Sequence, residues 1–221
     1  MLQKKRNDHI HCPAGKCSRL LQGSGCNNSS AAGRITFDTT GDDMASVKKK
    51  ICLIGPFAVG KTSLIQRYVY DRFDEKYLTT IGVKISQKAL PPIKDPRGGQ
   101  MIQHTFLIWD IAGLEKFDSV VKNYFRGAAG ALFVADLTRP ETIEHIGELY
   151  DRFCAISPDA VVIMLGNKLD LFKEDRQTLT VLKAKAAEFK TDLMLTSAKT
   201  GEAVEQAFMS LSQKIGSLNN E

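Results

Sequence analysis

An α/β fold, a mainly parallel sheet with helices on both faces, is predicted by three features of the 221 residues. Short apolar runs alternate with amphipathic stretches. Those stretches repeat every three to four residues, the period of a half-buried helix. A glycine-rich loop joins the first run to the first stretch. Strand and helix in alternation imply parallel strands covered on both sides. Ligands in such sheets bind at the carboxyl ends of the strands.

The elements follow in order. Residues 1–43 have few large apolar side chains and much Gly, Ser, Asn and Thr. They read as a disordered leader, unable to bury enough surface to offset its ordering entropy. Met44 is a candidate alternative start, which would leave 1–43 untranslated. His9, His11, Cys12, Cys17 and Cys26 lie in this leader, but Cys12 and Cys17 have no second tight pair to complete a zinc motif. Residues 44–217 read as one folded domain and 218–221 as a short tail. Its strand-like runs are Ile51 to Ile54, Thr105 to Trp109, Ala131 to Ala135, Val161 to Leu165 and Leu193 to Leu195. The helical stretches carry Leu64, Ile65, Tyr68 and Val69; then Ile143, Ile146, Leu149, Tyr150 and Phe153; then Leu182, Ala186 and Phe189; then Val204, Phe208, Leu211 and Ile215.

Composition narrows the function. A hydrophobic share of 43% excludes full disorder. No run of eighteen apolar residues exists, so no transmembrane helix is expected. The net charge of +5 is too weak an excess for a nucleic-acid binder. Five cysteines with no secretory signal point away from a disulfide framework and toward a reducing, cytoplasmic setting. No cysteine follows Cys154 and Leu2 follows Met1, so neither a C-terminal prenyl anchor nor N-myristoylation is expected.

The loop after the first run is Gly55-Pro56-Phe57-Ala58-Val59-Gly60-Lys61-Thr62, then Ser63. It fits G-x-x-x-x-G-K-[ST] between a buried strand and an amphipathic helix, the context that motif needs. Backbone N–H groups of such a loop and helix N-terminus converge on phosphate oxygens. Gly60 permits close approach, Lys61 reaches the β- and γ-phosphates, and the Thr62 hydroxyl ligates Mg²⁺. Asp110 leaves the third strand and can hold Mg²⁺ through a water. Gly113 can offer its N–H to a γ-phosphate oxygen. A polar stretch, residues 73–83, lies between the two. One of its threonines, Thr79 or Thr80, could complete the metal shell, in a loop ordered only while the γ-phosphate is present. The residues alone do not choose between them.

Two further elements read a base. Asn167-Lys168-Leu169-Asp170 and Thr196-Ser197-Ala198-Lys199 follow the last two strand-like runs. A carboxylate such as Asp170 accepts both N1–H and N2–H₂ of guanine, and the Ala198 N–H meets O6. Adenine reverses that pattern and would leave a buried Asp170 without a donor, at a cost of about 1–3 kcal/mol or more. GTP is therefore expected over ATP, and a metabolic kinase has no reason to carry these two elements.

In this order and spacing the four elements resemble the Ras-like small GTPases, over about Lys48 to Ile215. Thr80-Ile81-Gly82-Val83, Trp109-Asp110-Ile111-Ala112-Gly113 and Asn123-Tyr124-Phe125-Arg126-Gly127-Ala128 look like the Rab branch. The resemblance implies the small G-protein form of the P-loop NTPase fold, with a six-stranded sheet and one antiparallel strand. It implies Thr80, not Thr79, as the metal and γ-phosphate threonine, and Phe73 stacking on guanine. It places Ile85, Trp109 and Tyr124 where the family has its effector-reading triad, with Ile85 in place of the usual phenylalanine. It implies a GTP/GDP switch with protein effectors, exchange factors and GTPase-activating proteins.

The chain departs from the family at the reacting end. Leu114 stands where a glutamine orients the attacking water, and leucine has no group to do so. Phe57 stands where the family has a small residue, crowding the γ-phosphate and the space for an arginine finger. Each change is expected to slow hydrolysis about 10- to 100-fold. The expectation is a regulatory switch with very slow intrinsic hydrolysis; the alternative is a non-cycling, GTP-bound scaffold. Tyr77 stands three before Thr80, so no cis arginine appears there. Residues Leu90 to Gly99, with three prolines and two glycines, read as an exposed hairpin tip longer than in typical Rabs. Without a lipid anchor, membrane association would be peripheral and partner-mediated.

Overall fold

A computed structural model describes residues 35–36, 45–75, 79–94, 101–112, 119–173 and 175–218. The strands are β1 (Ile35–Thr36), β2 (Ala45–Ile54), β3 (Val83–Ala89), β4 (Ile93–Lys94), β5 (Met101–Ile111), β6 (Gly130–Asp136), β7 (Val161–Asn167) and β8 (Asp192–Leu195). The helices are α1 (Lys61–Tyr70), α2 (Ser119–Phe125), α3 (Glu141–Ile156), α4 (Arg176–Glu188) and α5 (Val204–Leu218). The sheet runs β3-β5-β2-β6-β7-β8, and in this six-stranded path only β3 is antiparallel to its neighbour. Two-residue strands are added at its margin: β1 pairs with β2 and β4 with β5, both antiparallel.

Alternation along β2 divides the core in two. Ile51 and Leu53 enter a cluster with Leu64 and Tyr68 of α1 and Phe208 and Leu211 of α5. Cys52 and Ile54 enter another, with Phe125 of α2, Ile146 and Phe153 of α3, and Leu182 of α4. The Tyr68 and Phe208 rings stack at 3.8 Å on the first face; Phe153 meets Phe125 and Phe133 edge-on on the second. β6, buried along its whole length, is the continuous apolar run that a strand covered on both faces requires.

Two stretches differ from the sequence reading. Ile35–Thr36, in the stretch read as disordered leader, pair with Val47 and Ser46. β6 reaches β2 only from Ile51 onward, so the start of β2 has a bare edge to fill. In the region read as an exposed hairpin tip, Leu90 is buried and its N–H donates to the His104 carbonyl at 2.8 Å. Pairing breaks at the exposed Pro91 and Pro92, which lack N–H donors, and resumes at Ile93–Lys94. Residues 95–99 of that tip lie outside the described residues.

The chain leaves β2 toward β3 and β5 on one side and later returns to β6 on the other. The loop after β2 therefore sits at the point where strand order reverses, the usual ligand crevice of an open α/β sheet.

Candidate functional site

The loop Gly55–Gly60 curls over the N-terminus of α1. A Cβ on Gly55 would lie 2.3 Å from the Val134 carbonyl oxygen, so the chain passes β6 too closely for a side chain. Gly60 has φ 98°, and a Cβ there would strike the Asn167 amide at 2.3 Å. Asn167 in turn donates from Nδ2 to the Val59 carbonyl at 2.9 Å. The buried Lys61 ammonium donates to the carbonyls of Gly55 (2.7 Å) and Pro56 (2.8 Å). No side chain caps α1, so its first N–H groups, with the positive end of the helix dipole, face the loop. The arrangement is a nest for an anion.

Beside it, three residues from three elements converge. Thr62 donates to Asp110 Oδ2 at 2.6 Å, and the Thr62 and Thr80 hydroxyls lie 2.8 Å apart. A hydroxyl has one proton, so Thr80 donates to Thr62 in this chain of bonds. Thr80 is thus the threonine brought to Thr62, while Thr79 is exposed. Asp110 is 2% exposed, and its Oδ1 has no hydrogen-bond partner among the described residues. Burial raises the Asp110 carboxyl above the usual range, opposed by the Thr62 bond and the charges of Lys61 and Lys84.

An orphaned buried carboxylate oxygen beside two hydroxyls suits a hard cation. Among the described residues there is no group of three or more His, Cys, Asp or Glu to hold a metal without help. Mg²⁺ fits that donor set, because it is held by few protein ligands together with waters and phosphates. Gly113 and Leu114 lie outside the described residues, as does Tyr77.

The base elements close the other end. Asn167 accepts the Ala198 N–H at Oδ1 (3.2 Å). Asp170 accepts the Ser197 hydroxyl at Oδ1 (2.6 Å), and Ser197 accepts the Thr200 N–H at 3.1 Å. Asp170 is exposed and lies in the short 3₁₀ turn Leu169–Leu171. Lys168 adopts a left-handed conformation, φ 67°, and its ammonium pairs with Asp136 at 2.7 Å. Phe73 is half-buried, and the exposed Lys199 and Glu75 approach to 3.8 Å. Phosphate loop, threonines and base elements line one cavity of about 400 Å³, with Phe57 41% exposed at its margin.

Three residues outside the sequence-read motifs support this cavity. Arg67 of α1 donates to the carbonyls of Ala198 (3.0 Å) and Lys199 (2.6 Å). Arg139 donates to the Phe57 carbonyl at 2.8 Å and pairs with Asp136 at 2.9 Å. Burial alone would raise the Asp136 carboxyl, but hydrogen bonds from Lys168, Thr138 and Arg139 hold it below the ordinary carboxylate range. A charged residue ending the apolar run of β6 was the one signal in the sequence for this group.

Away from the cavity, Ile85 and Trp109 are cross-strand partners on β3 and β5, and Trp109 lies 6.1 Å from Tyr124, tilted by 45°. Ile85 is 50% exposed. The triad inferred from the sequence is therefore contiguous. Lys50 sits 3.9 Å over the Trp109 ring and donates to the Arg126 carbonyl. Beneath them, burial pushes the Cys52 thiol up to about 12, so it stays protonated and inert.

Comparison with known proteins agrees with this geometry. A family model described as Ras family matches residues 50–217. The GTP-binding protein ypt4 of Schizosaccharomyces pombe is 36% identical over 168 residues, 73% of this chain and 69% of its own length. Human Ras-related protein Rab-4B is 37% identical over 167 residues, 75% of each chain. Rat Ras-related protein Rab-31 is 33% identical over 177 residues, 80% of this chain and 87% of its own.

Proposed function

The chain belongs to the Ras family, and we propose that it is a GTP/GDP regulatory switch whose intrinsic hydrolysis is very slow. The observation that carries the switch reading is the chain of hydrogen bonds from Thr80 through Thr62 to Asp110. Thr80 belongs to the polar loop before β3, so a ligand at Thr62 is felt directly by a surface segment.

In this reading the N–H groups of Ala58, Val59, Gly60, Lys61, Thr62 and Ser63 receive the phosphates. Lys61 adds a point charge. Thr62, Thr80 and, through a water, Asp110 hold Mg²⁺; when bound, the metal neutralises phosphate charge and orients the phosphate oxygens. Gly113 would meet the γ-phosphate. Asp170 would accept the guanine N1–H and N2–H₂, Ala198 would share its N–H between Asn167 Oδ1 and O6, and Phe73 would stack on the ring. Asn167, Lys168, Ser197 and Lys199 hold these groups in place. Effectors would read the state through Ile85, Trp109 and Tyr124, with exchange factors and GTPase-activating proteins on the adjoining loops.

Leu114 and Phe57 support slow turnover. Leucine cannot orient a water, and Phe57, which lines the cavity and is 41% exposed, would crowd the space an arginine finger needs. The same pair favours a second reading, a GTP-held scaffold that does not cycle. Among the described residues no helix is long and apolar enough to cross a membrane. A cytoplasmic protein whose membrane contact is peripheral and made by partners agrees with that.

Single-turnover GTP hydrolysis on the full chain, wild type against Leu114→Gln, tests the proposal. The glutamine variant should be about 10- to 100-fold faster; equal rates would overturn slow hydrolysis. Measurable turnover that responds to a GTPase-activating extract separates the switch from the scaffold. Equal affinity for ATP and GTP would overturn the guanine assignment.

A further inference from the structure

We infer that Arg139, outside every nucleotide motif, is a positioning residue for the phosphate loop. The turn that carries it is firmly held. Asp136 is wholly buried, and its Oδ1 accepts both the Thr138 N–H (2.9 Å) and the Thr138 hydroxyl (2.7 Å). The Arg139 N–H donates to the Asp136 carbonyl at 3.0 Å, and the Thr142 hydroxyl donates to the Arg139 carbonyl at 2.7 Å. The guanidinium then uses two arms. Nε donates to Asp136 Oδ2 at 2.9 Å, and Nη2 donates to the Phe57 carbonyl at 2.8 Å.

The consequence lies in the next peptide. All peptide bonds described are trans. In a trans peptide the N–H points opposite to the C=O. With the Phe57 carbonyl drawn to Arg139, the Ala58 N–H is turned to the other side, toward the cavity that Ala58 lines. Ala58 holds φ 60°, a left-handed conformation unusual for a residue with a side chain, so its orientation needs external support. A cation on the carbonyl also polarises the peptide and strengthens its N–H as a donor.

Asp136 Oδ2 carries a second cation, the Lys168 ammonium at 2.7 Å. One buried carboxylate therefore ties the phosphate loop, through Arg139, to the base element that contains Asp170. Lys168 makes its own bond to Asp136, so changing Arg139 should act on affinity for the phosphate chain and leave the base subsite largely alone. A lysine at this position keeps a cation beside Asp136 but lacks the rigid fork that reaches two acceptors at once.

This inference rests on the guanine-nucleotide reading. The test is GDP release and guanosine affinity on the full chain, for wild type, Arg139→Ala and Arg139→Lys, with thermal unfolding of each. Loss of one charge-assisted bond should speed GDP release about tenfold in both variants. Guanosine affinity should stay within about twofold of wild type, a selectivity that mere destabilisation does not produce. Arg139→Lys should melt like wild type. Wild-type GDP release in either variant, or equal losses for GDP and guanosine, would overturn this inference alone. A wild-type chain that binds no GDP would overturn it together with the nucleotide reading.

Discussion

Thr62 donates a 2.6 Å hydrogen bond to Asp110, 48 positions further along the chain. The bond joins the first turn of α1 to the end of β5 and leaves the other Asp110 oxygen buried without a described partner. The fold therefore carries an electrostatic cost that a bound cation would relieve.

Asp110→Asn should separate stability from ligand affinity. The folded Asp110 pKa is raised, so ionisation at neutral pH opposes folding in the metal-free protein. The amide removes that charge. We expect the metal-free melting temperature to rise by about 2–4 °C, the shift for roughly 1 kcal/mol in a domain of this size. Mg²⁺-dependent GTP affinity should fall together with that rise. Calorimetric melting with and without Mg²⁺ checks both; a lower metal-free melting temperature would contradict the account.

Thr80→Ala should discriminate between nucleotides. Its loop meets the site through the Thr80–Thr62 contact, beside a backbone bond from the Ala112 N–H to the Gly82 carbonyl at 2.9 Å that Thr80→Ala leaves in place. If it answers the γ-phosphate, GTP affinity should drop about tenfold while GDP affinity holds. Parallel titrations with GDP and a non-hydrolysable GTP analogue measure the ratio. An equal drop for both would remove the switch role of Thr80.

Asp170→Ala should cost GTP affinity about 10- to 100-fold, since the acceptor for two guanine donors is lost. Affinity for ATP should not fall. Competition against a fluorescent guanine nucleotide gives both numbers, and unchanged GTP binding would refute the base assignment.

Asp136 sets an acid limit. Its folded pKa is depressed below the ordinary value of 3.8, so its contribution to stability is complete above that value. It is lost as pH falls below about 3.8 and through the folded pKa. Urea unfolding of wild type and Asp136→Asn at neutral pH should differ by about 1–3 kcal/mol. The two curves should converge below the carboxylate range. A constant gap across that range would assign the effect to packing instead of charge.

The motif residues were legible because each motif is contiguous and sits at a strand end, where local context alone fixes backbone geometry. Gly55 to Thr62, Asp110, Asn167 to Asp170 and Ser197 to Lys199 all lie where the pattern of strands and helices puts them. The support was not legible. Arg67 grips a carbonyl 131 positions away and Arg139 one 82 positions away, contacts that no local pattern encodes. Pro91-Pro92 reads as a turn, and the resumed pairing of Ile93–Lys94 follows from an available partner at Met101–Ile102. The same holds for Ile35–Thr36, whose pairing depends on a bare stretch of β2.

β2 runs ten residues, about 33 Å at the rise of an extended strand, with the cavity at one end. Its other end is flanked by β1 and, across β5, by β4. The half-exposed Met101 marks that base. A linker fixed there would hold the molecule upright on a support, with its working mouth turned to the bulk. Nucleotide traffic and partner capture could then be followed on one tethered molecule without the tether entering either.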